Sequence, residues 1–217
     1  MFANKGASER SNPPKNLRYN CPMTSLVLAN ILKFLHESEA LKRQLRHSWL
    51  SDGRQESVAE HTWRMALMAM VLASEIDTKI DVAHVLEMVI VHDLGEVYLG
   101  DYQVYGSGNP APENKHELEQ KALNKLIQLL PSFSSEKIYS LWLEFEEKKT
   151  AEAKFATALD KLEVIIQHNE ADLSTYLEGE GEFNLTYADR QVSFDKVLVE
   201  LRESIREETR MKITLKS

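Results

Sequence analysis

Apolar residues recur at helical spacing along most of this 217-residue chain, and no convincing run of alternating polar and apolar residues interrupts them. The first such face follows Ser25, with Leu26, Ala29, Ile31, Leu32 and Leu35. Because residues three and four positions apart share one face of a helix, the pattern predicts an all-α fold. The length suits one domain with its own core, so we expect a single compact helical bundle.

The expected bundle divides the chain into three parts. Residues 1–22 are polar and contain Pro13-Pro14, which is typical of a flexible leader. Residues 23–175 carry the helical pattern and form the predicted bundle. After the Gly-rich stretch EGEG (178–181), residues 176–217 are predicted to form a C-terminal helical extension that packs on the same domain.

Local signals place several helix boundaries. Ser57 with Glu60 three residues later has the pattern of a capping box, and Asp52-Gly53 indicates a turn just before it. Met65, Met68 and Met70 in the helix that follows fit a core better than an interface. The other predicted helices are Glu39–Leu45, Asp81–His92, Glu117–Leu130, Ser135–Glu147, Ala151–Glu170 and roughly Arg190–Arg210.

Composition narrows the classes of partner. Lys and Arg total 26 against 34 Asp and Glu, a formal charge of −8, which argues against binding a nucleic acid polymer or an anionic membrane. The longest apolar stretch, MALMAMVLA, is far shorter than the ~20 residues that cross a bilayer. The N-terminal residues have no apolar signal core, and the single cysteine, Cys21, fits a reducing compartment. These features predict a cytoplasmic protein.

The segment VIVHDLGEVYLGD (89–101) places four ionisable side chains directly after an apolar helix. On a helix, Glu96 lies four residues after His92 and three after Asp93, so the three would share one surface. Burying such groups without partners costs several kcal/mol as an order of magnitude. Either His92 and Asp93 simply end a helix before Gly95, or a cation lies among these groups.

Two further residues pose the same choice. His61 lies on an apolar helix face between Val58 and Met65, where a histidine is commonly a core residue with one hydrogen bond. Asp160 lies on the apolar face of FATALDKLEVII, and Lys161 should point about 100° away around the helix. A buried carboxylate needs a partner, and a metal ion would supply one.

These residues together form a set of two histidines and two carboxylates from three helices. Nitrogen and oxygen ligands without a thiolate suit Mn²⁺, Fe²⁺, Co²⁺, Ni²⁺ or Zn²⁺. Such an ion acidifies water and holds a phosphoryl oxygen, which is the chemistry of phosphate-ester hydrolysis.

The order H…HD…D resembles that of the HD-domain metal-dependent phosphohydrolases, and within them the 5′-deoxynucleotidase branch. It occurs in the contexts SVAEH (57–61), VIVHDLGEVYLGD (89–101) and EAKFATALDKLE (152–163), and the resemblance runs from about Met23 to about Glu170. It implies that one divalent ion (Mn, Co, Fe, Ni, Zn or Mg) is bound by His61, His92, Asp93 and Asp160. It further implies that Glu96 is the acid/base and that Asp101 lies near the sugar or the attacking water.

The resemblance also suggests substrate-binding residues in the segment LKRQLRHSW (41–49) and just after it. Arg46 corresponds to a phosphate-contacting arginine, although a basic turn of this kind could equally be a solvated face. Trp49 matches an aromatic residue of the same segment, and Arg54 precedes the helix of His61. His47 stands where some members have an aromatic residue that rejects the 2′-hydroxyl, so deoxyribose preference stays open.

The implied function is hydrolysis of (deoxy)ribonucleoside 5′-monophosphates to nucleoside and phosphate by a homodimer. Only His116 lies between the HD pair and Asp160, so we treat His84 and His116 as surface residues and expect one metal ion. One alternative is another HD chemistry, a nucleotide pyrophosphohydrolase or an alarmone hydrolase. It predicts more cations near the site than Lys115, the only one in the loop 102–116. The other alternative is a non-catalytic metal-binding scaffold.

Overall fold

The computed structural model describes residues 25–103, 105–106 and 111–215, so the predicted leader over residues 1–22 lies outside the described residues. The described chain is helical apart from one short hairpin, as the sequence predicts. Its helices are α1 (Ser25–Ser38), α2 (Val58–Leu72), α3 (Val82–Val91), α4 (Glu96–Leu99), α5 (Lys115–Ile127), α6 (Ser132–Glu147), α7 (Ala151–Glu170), α8 (Glu180–Asn184), α9 (Asp189–Val192) and α10 (Lys196–Thr214).

Helix α7 lies at the centre of the bundle. Twelve of its 20 residues are buried, including Phe155, Leu159 and Leu162. Helices α2, α3, α6 and α10 pack around it. A helix that is buried on nearly all sides belongs in a core, and each polar residue on it therefore needs a partner.

The capping box predicted at the start of α2 is confirmed. The backbone N–H of Glu60 donates to Ser57 Oγ at 3.3 Å, and the N–H of Ser57 donates to the Glu60 carboxylate at 2.8 Å. Met65 and Met68 are buried as predicted, whereas Met70 is 61% exposed, so the core assignment of Met70 was wrong.

Strands β1 (Leu45–Trp49) and β2 (Gln55–Ser57) form an antiparallel hairpin that the sequence pattern did not reveal. The predicted helix Glu39–Leu45 is instead a 3₁₀ turn, Glu39–Lys42, followed by β1. The turn signal at Asp52-Gly53 was correct: Gly53 has φ +87°, a backbone conformation that favours glycine. Strands of five and three residues are too short to show clear alternation.

The C-terminal segment packs on α7 through α10. Leu198 and Ile205 of α10 join the core, and Asn169 at the end of α7 donates to the Ile205 carbonyl at 3.1 Å. Buried Arg202 donates to the carbonyls of Asn184 and Tyr187, each at 2.8 Å, which ties α8 and α10 together. The final helix starts six residues later than predicted, because Asp195 caps it.

Candidate metal centre and active site

Residues that are distant in sequence meet at the centre of the bundle. His61 lies on α2, His92 follows α3, and Asp160 lies on α7; one ligand atom of each falls within 4.8 Å of the others. His61 Nε2 is 3.3 Å from Asp160 Oδ1, and Asp93 Oδ2 is 3.0 Å from His92 Nε2. The structure therefore brings the four predicted metal ligands together.

In each histidine, the contact made by Nδ1 determines which ring nitrogen is available to bind a metal ion. His92 Nδ1 lies 2.7 Å from the Val89 carbonyl, which only accepts, so Nδ1 carries the proton. His61 Nδ1 hydrogen-bonds to the Glu163 carboxylate. Both Nε2 atoms, with Asp93 Oδ2, are buried and make no well-formed hydrogen bond among the described residues, although the Asp160 and Asp93 carboxylates lie 3.3 and 3.0 Å from them. A divalent cation would satisfy all three, so the donor set fits a metal ion.

Both carboxylates of the set are ionised at neutral pH. Burial raises the pKa of Asp160, but Lys161 and His61 outweigh it and hold the pKa well below its ordinary value. Burial also raises the pKa of Asp93, but its neighbours, His92 above all, outweigh burial and hold the pKa of Asp93 low. Lys161 Nζ is 2.8 Å from Asp160 Oδ2, so the prediction that Lys161 points away was wrong. Its long side chain reaches around the helix.

When no metal is bound, the surroundings of His61 favour its positively charged form, with a proton on each ring nitrogen. Burial and Arg46 lower the pKa of His61, but Glu163 and Asp160 outweigh them and raise it to about 9. A ligating nitrogen must be deprotonated, so binding a cation at neutral pH displaces that proton.

Glu96 lines a cavity beside the predicted ligands, together with His92, Asp93 and Asp160. Helix α3 ends at Val91, and a turn closed by the Glu96 N–H on the Asp93 carbonyl (3.0 Å) leads into α4, which begins at Glu96. The side chain is buried, and Oε2 has no hydrogen-bond partner among the described residues. Burial, followed by Asp93 and Asp101, raises the pKa of Glu96 well above its ordinary value. A carboxyl group that holds its proton near neutral pH can act as a general acid.

Arg46 of β1 points into the cavity, and the interpretation of Arg46 as a solvated residue is wrong. Its side chain is only 10% exposed, whereas that of Arg43, three residues earlier, is 71% exposed. Nη1 of Arg46 lies 3.8 Å from Asp93 Oδ2 and 3.9 Å from Asp101 Oδ1, and Nε lies 3.5 Å from Glu56 Oε2. Asp101 lines the cavity beside it.

The structure does not bring Trp49 or Arg54 into the lining of this cavity. The Trp49 ring packs edge-on against His47, with ring centroids 4.9 Å apart. Arg54 lies on the surface with a 53% exposed side chain, and its guanidinium donates to the Glu60 carboxylate at 2.7 and 3.1 Å. Trp49 therefore lies outside this cavity, and Arg54 supports the start of α2.

The cavity has a volume of about 390 Å³ and is lined by lysine side chains that the sequence did not place at the site. Lys148 and Lys161 line it together with Lys115, although only Lys115 belongs to the loop 102–116. They come from the end of α6 and from α7, so no local pattern could have grouped them. His116 reaches the rim with a 51% exposed side chain.

A buried hydrogen-bond network behind His61 was also missed. Glu163 and Glu56 both lie close to His61, and Glu163 contacts it on the Nδ1 side. Burial, followed by the charge of Glu163, raises the pKa of Glu56 to about 7. We interpret this side as a support and not as a second metal site, because Glu163 already bonds His61 and Arg64. A sequence signal existed: Glu163 lies three residues after Asp160, on the same helix face.

Comparison with known proteins identifies the family. The HD domain model matches residues 38–202, which is more than half of the chain. The protein belongs to the HD domain family. Human 5′-deoxynucleotidase HDDC2 is 37% identical over 143 residues, which span 65% of this chain and 68% of the human protein. The 5′-deoxynucleotidase hdd1 of Schizosaccharomyces pombe is 34% identical over 161 residues, 68% of this HD domain protein and 79% of hdd1.

Solved structures show the same fold. A predicted metal-dependent phosphohydrolase from Magnetospirillum magnetotacticum has a TM-score of 0.72 at 30% identity, covering 87% of this chain and 97% of that protein. A conserved hypothetical protein from Pyrococcus furiosus has a TM-score of 0.61 at 30% identity, covering 82% of this chain and 99% of that protein. The helical-bundle prediction and the family resemblance are both confirmed.

Proposed function

We propose that this HD domain protein is a metal-dependent phosphomonoesterase that hydrolyses deoxyribo- or ribonucleoside 5′-monophosphates to nucleoside and phosphate. The observation that carries the proposal is the single cavity lined by His92, Asp93, Asp160, Arg46 and Glu96, with the Nε2 atoms of the two histidines making no well-formed hydrogen bond among the described residues. The names of the matched relatives, 5′-deoxynucleotidases from human and fission yeast, support the substrate class.

The proposed metal ligands are His61, His92, Asp93 and Asp160, which would hold one divalent ion. When bound, such an ion supplies Lewis-acid chemistry by polarising a phosphoryl oxygen and making water more acidic. The nitrogen and oxygen donors suit Mn²⁺, Fe²⁺, Co²⁺, Ni²⁺ or Zn²⁺, and Mg²⁺ remains to be tested beside them. His84 is not expected to bind a second ion, because its Nε2 is paired with Glu144 at 2.8 Å.

The protein's own groups would handle the phosphate and the protons. Arg46 binds phosphoryl oxygens through its planar guanidinium, which matches the spacing of two phosphate oxygens. Water adds to phosphorus and the bond from phosphorus to the 5′ oxygen breaks. Protonated Glu96 donates its proton to that oxygen, and one proton of the water then passes to the Glu96 carboxylate while the other stays on the released hydrogen phosphate. Asp101, beside Arg46, would lie near the sugar or the attacking water.

The test is a panel of deoxyribo- and ribonucleoside 5′-monophosphates with metal-stripped protein. Phosphate release is measured without metal and after addition of Mn²⁺, Co²⁺, Mg²⁺ or Zn²⁺. We expect hydrolysis that depends on metal and is lost in Glu96→Gln. Release of no phosphate from any nucleotide under any metal would contradict the proposal.

A second candidate is hydrolysis of nucleotides that carry additional phosphates. Lys115, Lys148 and Lys161 line the cavity, so it is richer in cations than the loop 102–116 alone indicates. However, Lys115 is paired with Glu119 at 3.2 Å and Lys161 with Asp160 at 2.8 Å, which leaves less positive charge for extra phosphates. Including nucleoside triphosphates and an alarmone in the same panel distinguishes the two functions.

Assembly as a homodimer is part of the proposal. Helix α2 exposes an apolar stripe at helical spacing, with Trp63, Leu67, Met70 and Val71 between 45% and 67% exposed. Ile90 of the neighbouring α3 is 62% exposed. Exposed apolar side chains that cluster in this way are typical of an interface between protein subunits.

The remaining organisation is also proposed. The division into residues 1–22, 23–175 and 176–217 is a proposal, and the packing of α10 on α7 supports the part in which residues 176–217 pack on the same domain. The match to the family model crosses the proposed boundary at residue 175 and ends at residue 202. No helix among the described residues is long and apolar enough to cross a bilayer. A cytoplasmic location and the lack of a nucleic acid polymer or membrane partner stay predictions, based on the formal charge of −8 and the single cysteine.

A further inference from the structure

Glu163 is a completely buried carboxylate that the proposed reaction does not use. It lies on α7 one turn after Asp160, and its side chain is 0% exposed. Oε2 bonds to Nδ1 of His61, and Oε1 accepts from Arg64 Nε at 2.8 Å. A buried carboxylate without partners is strongly unfavourable, so these two contacts are what allow a charged Glu163 in the core.

The contact with His61 sets the state of that ring. A carboxylate on Nδ1 keeps the proton on Nδ1, so that Nε2, which lies 3.3 Å from Asp160, is the nitrogen left to bind an ion. It also makes the ring a stronger donor, because the negative charge stabilises positive charge on the imidazole. Neither effect requires Glu163 to contact a ligand itself.

The two histidines of the site differ in this respect. Nδ1 of His92 donates to the neutral backbone carbonyl of Val89, which orients the ring without adding charge. His61 is the histidine with a carboxylate behind it, and that carboxylate is held by Arg64. Arg64 has a further carboxylate partner, Glu170, at 2.6 Å on the outside of α7.

We propose that Glu163 is a positioning residue, which orients His61 and strengthens it as a ligand for the divalent ion, while Arg64 keeps Glu163 in place. Glu163 itself touches neither the ion nor the substrate. The inference rests on the metal site of the proposed function but not on the nucleotide, so metal binding tests it even if no nucleotide is hydrolysed.

The test compares Glu163→Gln with the matched control Glu170→Gln. Both variants remove one carboxylate from α7 and from Arg64, but only the first removes the charge from His61. Mn²⁺ dissociation constants are measured by titration of the metal-stripped proteins, well below their unfolding temperatures. We expect Glu163→Gln to bind Mn²⁺ about 10- to 100-fold more weakly, the usual effect of removing such a partner. Glu170→Gln should stay within about twofold of the wild type, because its carboxylate does not touch His61.

A merely structural role gives a different result. In that case Glu163→Gln lowers the unfolding temperature but leaves the Mn²⁺ dissociation constant of the folded protein unchanged, which would overturn the proposal. If nucleotide hydrolysis is observed, excess Mn²⁺ should restore activity in Glu163→Gln with an unchanged KM for the nucleotide.

A measurement on the wild type covers the case in which Glu163→Gln does not fold. In the Zn²⁺-loaded wild-type protein, imidazole proton and nitrogen spectra should show a proton on Nδ1 of His61 that is protected from exchange. A proton on Nε2, or an Nδ1 proton that exchanges freely with water, would overturn the proposal.

Discussion

Replacing Arg46 separates substrate binding from metal binding, because the two should change in opposite directions. Arg46 is surrounded by Glu56, Asp93 and Asp101, with nitrogen-to-oxygen distances of 3.5 to 3.9 Å. In Arg46→Gln the cavity keeps all of these carboxylates but loses the positive charge of the Arg46 guanidinium. The nucleotide's phosphate then loses its guanidinium partner, while a divalent ion no longer meets positive charge beside Asp93.

The size of each effect follows from the contacts. A hydrogen bond to a charged group contributes about 1.5–3 kcal/mol, and the guanidinium can donate two to a phosphate. Two such bonds contribute about 3–6 kcal/mol, and losing them corresponds to a decrease of about 10²- to 10⁴-fold in kcat/KM, since 1.4 kcal/mol is tenfold. Arg46 Nη1 lies 3.8 Å from the ligand Asp93, so losing this positive charge removes its repulsion of a divalent ion and should strengthen metal binding several-fold or more.

The assay measures kcat/KM for a deoxyribonucleoside 5′-monophosphate and the Mn²⁺ dissociation constant on the same preparations. Arg43→Gln is the matched control, because Arg43 lies only three residues before Arg46 but is exposed and paired with Glu39. We expect the control to behave as the wild type. A wild-type kcat/KM in Arg46→Gln, or weaker Mn²⁺ binding than in the wild type, would refute the reasoning.

Three further predictions test other parts of the molecule. Glu96→Gln should lower kcat by about 10²- to 10⁴-fold with unchanged Mn²⁺ affinity, because only proton transfer is lost; a decrease below tenfold would contradict its role. Leu67→Glu should convert the dimer to monomers in light scattering, with unchanged circular dichroism, because it places a charge in the exposed apolar stripe of α2; a persisting dimer argues against that interface. Asp195→Ala should lower the free energy of unfolding by about 1–3 kcal/mol at pH 7, because Asp195 caps α10 and accepts two hydrogen bonds from Thr78. Burial opposes the shift, but these hydrogen bonds lower the pKa of Asp195. The stabilisation is therefore present above the ordinary carboxyl pKa and lost as pH falls through the lowered pKa, so urea titrations should show a difference that shrinks toward pH 2; a constant difference would exclude this cause.

Features that depend on local chemistry were accessible from the sequence. The capping box of Ser57 and Glu60 uses hydrogen bonds within four residues, and the helix face of α7 follows from its apolar spacing. The order of His61, His92 and Asp160 could be assigned because it resembles a known family. Their meeting within 4.8 Å depends on how α2, α3 and α7 pack, which no local pattern reports.

Features that depend on side-chain reach or distant partners were not accessible. Arg46 and Arg54 both lie on the β1–β2 hairpin, yet one points to Asp93 and the other pairs with Glu60. Lys161 was misplaced because helical geometry fixes where the side chain starts and not where a four-carbon stem ends. Tertiary packing decided each case.

The central claim is that one divalent ion lies among His61, His92, Asp93 and Asp160. The most direct test is a crystal of the protein soaked in Co²⁺, with diffraction recorded on both sides of the cobalt absorption edge. The account predicts a single anomalous peak about 2.0–2.2 Å from Nε2 of both histidines, with oxygens of Asp93 and Asp160 at similar distances. A peak on the Nδ1 side of His61, between Glu56 and Glu163, or no peak at the four residues, would contradict it.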